Sequence, residues 1–135
     1  RYEWLKRLAT VKIGAIGAKL YVCAFGGRVM GSAATYDIEH DGKLIEAKLA
    51  LRGRQNLSFR YQWSGFRVLD PWTHAWLVAV GYNRVRGFLV PREEVNLTPM
   101  KESYQAFWVG PQFQDDTATP PKWLAAREVD LKPQP

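Results

Sequence analysis

One dipeptide constrains this chain more than any other. Asp41-Gly42 stands between two runs that alternate apolar and polar residues, 35–40 and 43–49. A two-residue turn needs positive φ at both central positions, which Asp and Gly tolerate, so the pair predicts an antiparallel hairpin. The turn also sets the register: His40 faces Lys43, Ile38 faces Ile45, and Asp37 stands opposite Glu46. Because side chains alternate along a strand, Tyr36, Ile38, Ile45, Ala47 and Leu49 share the core face. Asp37, Glu39, Glu46 and Lys48 share the other.

The flanking sequence predicts a mixed α/β fold. Residues 3–8 read as a short helical turn. Ile13, Ile16, Leu20 and Phe25 then recur near a helical period, and Gly26-Gly27 supplies a C-terminal stop. Gly14 and Gly17 inside that helix each cost about 1 kcal/mol relative to Ala, which predicts close packing against something. A third strand is expected at 57–63. The near-continuous apolar run at 75–80 predicts a central strand covered on both faces. A turn at 81–83, a return strand at 87–90, and a short helix at 91–95 with Pro91 at its first position follow. Residues 104–109 read as a strand or a helix end. Beyond Gly110 lie five of the eight prolines, which predicts an extended tail anchored by Trp123 and Leu124.

At 135 residues the chain supports one compact domain, assigned to 1–110, with a Pro-rich tail at 111–135 that packs on the body or on a partner. No apolar run approaches the ~20 residues that span a bilayer, so no membrane association is expected. The single Cys23 excludes an internal disulfide and is expected to be a buried, inert thiol. With no signal-peptide pattern either, a cytoplasmic location is expected. Neither His40 nor His74 has partners at zinc-ligand spacing, and no Gly-x-Ser-x-Gly or phosphate-loop motif is present.

Charge is distributed unevenly. The chain carries 19 Lys plus Arg against 13 Asp plus Glu, a net +6. Between positions 49 and 92 lie Arg52, Arg54, Arg60, Arg67, Arg84, Arg86 and Arg92, with Asp70 the only acid. An all-arginine run suits phosphate, which the guanidinium fork binds bidentately. Tyr61, Trp63, Phe66 and Trp72 are interleaved with it, either facing the core or free to pack on bases. Trp63 and Trp72 are the candidates for stacking on nucleic acid.

The hairpin supplies the chemistry. Opposed Asp37 and Glu46 would have Cβ atoms about 4.5–5.5 Å apart, a destabilising arrangement for like charges. Either Lys48 and Lys43 neutralise a solvated polar face, or a divalent cation sits between the acids. Mg²⁺ fits the second case, since it takes one or two carboxylates and fills its shell with waters and phosphate oxygens. Lys48 on the same face could then hold a phosphate, orient a water or stabilise developing charge.

Asp37, eight intervening residues, and then Glu46-Ala47-Lys48 resemble the core motif of the PD-(D/E)xK nuclease superfamily. The resemblance spans roughly residues 13–95, and residues 45–48 are its most specific stretch. It implies a restriction-endonuclease-like mixed sheet of about four to six strands flanked by helices. It further implies a metal-dependent DNA endonuclease that hydrolyses phosphodiester bonds with Mg²⁺ or Mn²⁺. By residue, Asp37, Glu46 and the Ala47 carbonyl would be metal ligands, and Lys48 the catalytic lysine. Arg52, Arg54, Arg60, Gln62 and Arg67 would contact the nucleic acid, with Gln62 near the scissile phosphate or facing solvent. Cutting both strands would call for a homodimer. Ala18 stands where many relatives carry a helix acid. That motivates the alternative, a catalytically inactive nuclease-like protein that binds nucleic acid or serves in assembly.

Overall fold

The computed structural model describes residues 4, 10–31, 33–51, 61–81, 83–95, 98–101, 104–108 and 120–131. The first element is helix α1, Thr10–Phe25. Gly26 and Gly27, both at φ +94°, end it, and the Gly26 N–H closes its last turn on the Val22 carbonyl at 2.9 Å. Gly27 has a second reason to lack a side chain. A Cβ there would lie 2.8 Å from the Cβ of His40 and 2.9 Å from the Glu39 carbonyl oxygen. The chain therefore passes from the helix directly against the hairpin.

Strands β1 (Arg28–Val29), β2 (Ile38–His40) and β3 (Lys43–Leu51) form an antiparallel meander. Asp41 at φ 49° and Gly42 at φ 77° make the turn between β2 and β3. The register is His40 to Lys43 and Ile38 to Ile45, as the dipeptide dictates. Strand β4 (Gln62–Arg67) leaves this sheet, and β5 (His74–Val80) returns parallel to β3. Strand β6 (Val85–Pro91) pairs antiparallel with β5. A 3₁₀ turn at Arg92–Glu94 follows, with Pro91 as its N-cap rather than its first residue. Strands β7 (Thr98–Lys101) and β8 (Tyr104–Trp108) join β4 in a separate three-stranded sheet ordered β4-β8-β7. A short helix α2 (Lys122–Ala125) and strand β9 (Glu128–Val129) complete the described chain. The main sheet is six-stranded and mixed, ordered β1-β2-β3-β5-β6-β9.

Each face of the main sheet carries its own core. On one side Ile13, Ala18 and Tyr21 of α1 bury against Ile38, Ile45, Ala47, Trp76 and Val78. At Gly17 the helix meets β3 and β5: a Cβ there would be in ordinary contact with Leu49 at 3.5 Å, and the Gly17 carbonyl accepts the Trp76 indole N–H at 3.0 Å. Gly14, by contrast, borders open space. On the other side Tyr61, Trp63 and Phe66 of the β4 region pack on Ala75, Leu77, Phe88, Val90 and Leu124. Fully burying one such apolar side chain stabilises the fold by about 1.5–3 kcal/mol. β5 lies between the two cores, which explains its unbroken apolar run. Gly87 of β6 lies under the Trp76 ring, where a Cβ would come within 2.8 Å of Cζ2.

The structure revises several expectations. Of the third strand expected at 57–63, positions 57–60 lie outside the described residues; the strand described there is β4, Gln62–Arg67, which runs on past 63. Residues 104–108 are strand, not a helix end. Among the described residues the face opposite α1 is covered mainly by β4 of the second sheet, with Leu124 of the short helix α2 beside it. The C-terminal region does more than wrap the body: β9 extends the main sheet beyond β6. Of its two expected anchors, Leu124 is buried while Trp123 is exposed. Cys23 is an exposed thiol, not a buried one, because α1 turns position 23 away from the sheet. No helix among the described residues is long and apolar enough to cross a membrane.

Candidate functional site

The paired register ends at Ile38 and Ile45, and Asp37, the residue just before β2, brings its side chain within hydrogen-bond reach of Glu46. Asp37 is held by three hydrogen bonds. Its N–H donates to the Ile45 carbonyl at 2.9 Å, and its carbonyl accepts the Met30 N–H at 2.8 Å. Its Oδ2 accepts the Ala47 N–H at 2.8 Å. The carboxylate thus takes the donor that β3 would otherwise offer to a longer β2, and the side chain is pinned to the strand that bears Glu46. The Ala47 carbonyl leaves β3 on the same edge as its N–H, beyond Ile38, the first residue of β2.

Glu46 sits on the β3 face that the second sheet covers, with only 8% of its surface exposed. Burial pushes its carboxyl up to about 8, and a hydrogen bond with Asp37 adds to the shift. Lys48 pulls the other way without cancelling it. At neutral pH Glu46 therefore keeps its proton, which disposes of the like-charge conflict between the two acids. Protonation of Glu46 is thus a further resolution of that conflict, beside the two the sequence offered, lysine neutralisation and a bound cation.

Lys48 completes the constellation. Its Nζ lies 3.4 Å from Glu46 Oε2 and donates to the Gly65 carbonyl at 3.2 Å. It also lies 5.4 Å from the centroid of the Phe66 ring, within cation–π range. That cradle depends on a β-bulge: the β4–β8 register shifts between Ser64 and Phe66, with Gly65 at φ +81°. Gly65 is the positioning residue that inspection of the sequence missed. Its signal was there, a lone glycine between Ser64 and Phe66 inside a strand.

Asp37, Glu46, Ala47 and Lys48 are thus brought together. Arg52, Arg54 and Arg60 lie outside the described residues, and of Gln62 only the backbone is described, paired with Trp108. Arg67 is exposed at the end of β4. The rest of the arginine run makes contacts within the protein, although only Arg86 is buried. Arg86 makes a bidentate pair with Glu128, at 2.9 Å from Nε and 2.8 Å from Nη2. Arg84 stands 4.0 Å from the same carboxylate. Arg92 stacks 4.2 Å from the Trp72 ring centroid and donates to the carbonyls of Val68, Asp70 and Trp72. Trp63 and Trp72 do not offer their rings to bases: both are buried, and their indole N–H groups donate to the carbonyls of Val78 and Arg67. Their size made core the more economical place for them.

Ala18 lies in the α1-side core with Ile45 and Ala47, on the face of β3 opposite Glu46 and Lys48. A carboxylate there would sit among apolar side chains, at a heavy desolvation cost. Its absence leaves the Asp37–Glu46 face intact. Among the described residues no set of three or more His, Cys, Asp or Glu gathers in a metal-holding arrangement. An ion at this site would be held by two carboxylates, a backbone carbonyl and water. No protein-family model matches the chain, and no curated protein matches it significantly.

Proposed function

We propose that this protein is a metal-dependent nuclease that hydrolyses phosphodiester bonds in DNA at the Asp37, Glu46 and Lys48 constellation, on a restriction-endonuclease-like fold. The observation that carries this reading is the company Glu46 keeps. A nearly buried carboxyl held up to about 8, bonded to a second carboxylate and next to a cradled lysine, is an arrangement that favours gaining a cation. Structural ion pairs are seldom left in that state.

The donor set fits Mg²⁺ or Mn²⁺: two hard carboxylates and the Ala47 carbonyl on one edge of β3, with the remaining positions left to water and phosphate oxygens. A bound divalent ion would lower the pKa of a coordinated water and offset charge on the phosphorus centre. Glu46 must release its proton for this, so affinity rises with pH. Asp37, locked to the Ala47 N–H, fixes the geometry of the pair. Lys48 presents its ammonium beside the carboxylates, where it can hold a non-bridging phosphate oxygen and stabilise the charge that develops on it. Arg67, with Arg52, Arg54 and Arg60, would hold the flanking backbone and make binding fall with salt.

Plasmid DNA incubated with the protein in Mg²⁺, Mn²⁺ or EDTA tests the reading. Cleavage in either metal, abolished by EDTA and by Asp37→Ala or Glu46→Gln, is the expected result. No cleavage in both metals, or cleavage that survives both substitutions, sinks it.

A second reading, a nuclease-like fold that binds DNA or a protein without cutting, draws on the same geometry. Glu46 keeps its proton at neutral pH, hydrogen-bonds to Asp37 and has a lysine at 3.4 Å, so it is satisfied without metal. Calorimetric titration separates the two. The non-catalytic protein has no Mg²⁺ or Mn²⁺ site that depends on Glu46.

A further inference from the structure

The least buried large apolar side chain among the described residues lies on the turn that follows β4, the strand that cradles Lys48. Leu69 is 92% exposed, and its neighbour Val68 is also exposed. Both occupy the tip of the turn that joins β4 to β5, closed by the Asp70 N–H donating to the Arg67 carbonyl at 3.3 Å. An exposed leucine on a mobile loop would call for no explanation. This turn is held rigidly. Arg92 reaches across from the end of β6 and donates to the carbonyls of Val68 at 2.8 Å, Asp70 at 2.7 Å and Trp72 at 3.1 Å. The Trp72 indole N–H donates to the Arg67 carbonyl, the same oxygen that closes the turn. The loop's backbone is therefore fixed while its two apolar side chains project into solvent.

The turn is also tied to the candidate site. Arg92 stacks on Trp72, Trp72 packs on Phe66 with ring centroids 5.3 Å apart, and Phe66 carries Lys48. One packed series of side chains links the catalytic lysine to the loop. Arg67, at the first position of the turn, is exposed and cationic, while Asp70, its single acid, is half-buried. A rigid apolar tip flanked by arginine suits insertion into a base step of a duplex whose phosphates the arginine holds.

Resting on the nuclease reading above, we propose that Leu69 is a wedge that enters the stack of a DNA duplex beside the scissile bond and unstacks one base step, with Val68 backing it. Shape and deformability would then contribute to the choice of site, favouring pyrimidine–purine steps that open easily. The test uses the whole protein in EDTA, where no cleavage occurs. It is titrated with duplexes that carry 2-aminopurine at successive positions, reading anisotropy for binding and 2-aminopurine fluorescence for unstacking. The wild-type chain should brighten the probe at one step. Leu69→Ala should abolish that rise while weakening binding about tenfold, towards the low end of one stacking contact, and Leu69→Met should keep it. Its thermal midpoint should be unchanged, since the side chain is exposed.

A bound duplex whose fluorescence rises at no position, or rises equally with Leu69→Ala, overturns the wedge and leaves metal-dependent cleavage standing. Absence of duplex binding overturns the wedge, and the plasmid assay decides the nuclease reading separately. A dimer that Leu69→Ala converts to monomer, seen by sedimentation, assigns the tip to a protein contact instead and overturns the proposal.

Discussion

Two glutamates in this molecule each lie beside a cation, and they end in opposite states. Glu128 on β9 meets the Arg86 fork at 2.8 and 2.9 Å, and its carboxyl is held below the usual range, chiefly by those hydrogen bonds. Glu46 on β3 meets Lys48 at 3.4 Å and is pushed up to about 8 by burial. Chemistry and geometry together account for the difference. The arginine presents two donors in a plane that matches a carboxylate, so the β6–β9 pair is complete. The Lys48 ammonium is divided among Glu46, the Gly65 carbonyl and the Phe66 ring, and a second carboxylate stands opposite. The first pair closes a sheet edge. The second has the electrostatics of a site with room for another positive charge.

If that contrast is right, exchanging carboxylate for amide at the two positions should give opposite outcomes. Glu46→Gln should lower metal-dependent DNA cleavage on the order of 10³-fold, measured as plasmid nicking. Glu128→Gln should leave the rate per folded molecule unchanged.

Stability should also diverge with pH. Between pH 4.5 and about 8 the folded, metal-free protein keeps a proton at Glu46 that the unfolded chain has released. Stability should therefore fall as pH rises through that window, by on the order of a few kcal/mol, and Glu46→Gln should flatten the slope in urea titrations. Glu128 has the reverse sign. Its folded pKa is lowered, so its contribution is present above the unfolded pKa and is lost as pH falls through the folded one.

At neutral pH, Glu128→Gln should cost about 2–3 kcal/mol in chemical denaturation, since it leaves the buried Arg86 guanidinium under-compensated. The smallest effect is expected at the lysine cradle. Gly65→Ala places a Cβ at φ +81° and 3.5 Å from Lys48 Nζ. It should cost about 1–2 kcal/mol in stability and loosen the lysine, lowering cleavage more than it lowers DNA affinity.

Local chemistry made the hairpin legible. Asp41-Gly42 sets the turn and the turn sets the register from His40–Lys43 to Ile38–Ile45, which leaves Asp37 beside Glu46. The β5 run and the Gly26-Gly27 stop were readable for the same reason, since each depends on residues within a few positions. What escaped was decided at long range. Arg86 belongs to Glu128, and Arg92 belongs to the carbonyls of the turn at 67–70, pairings that no periodicity in the arginine run reveals. Trp63 and Trp72 read equally well as core or as stacking surface until the second sheet closed over them. Gly65 was overlooked because a bulge shows its purpose only once the lysine it serves lies above it. Exposed Cys23 follows from which side of α1 meets the sheet, which the helix period alone left open.

The central claim concerns the charge on one side chain, and carbon-13 NMR of the Glu46 carboxyl reads it directly. In EDTA the resonance should titrate near pH 8, and saturating Mg²⁺ should move that midpoint well below neutrality. A midpoint in the ordinary carboxylate range without metal, or one that Mg²⁺ leaves in place, would contradict the account.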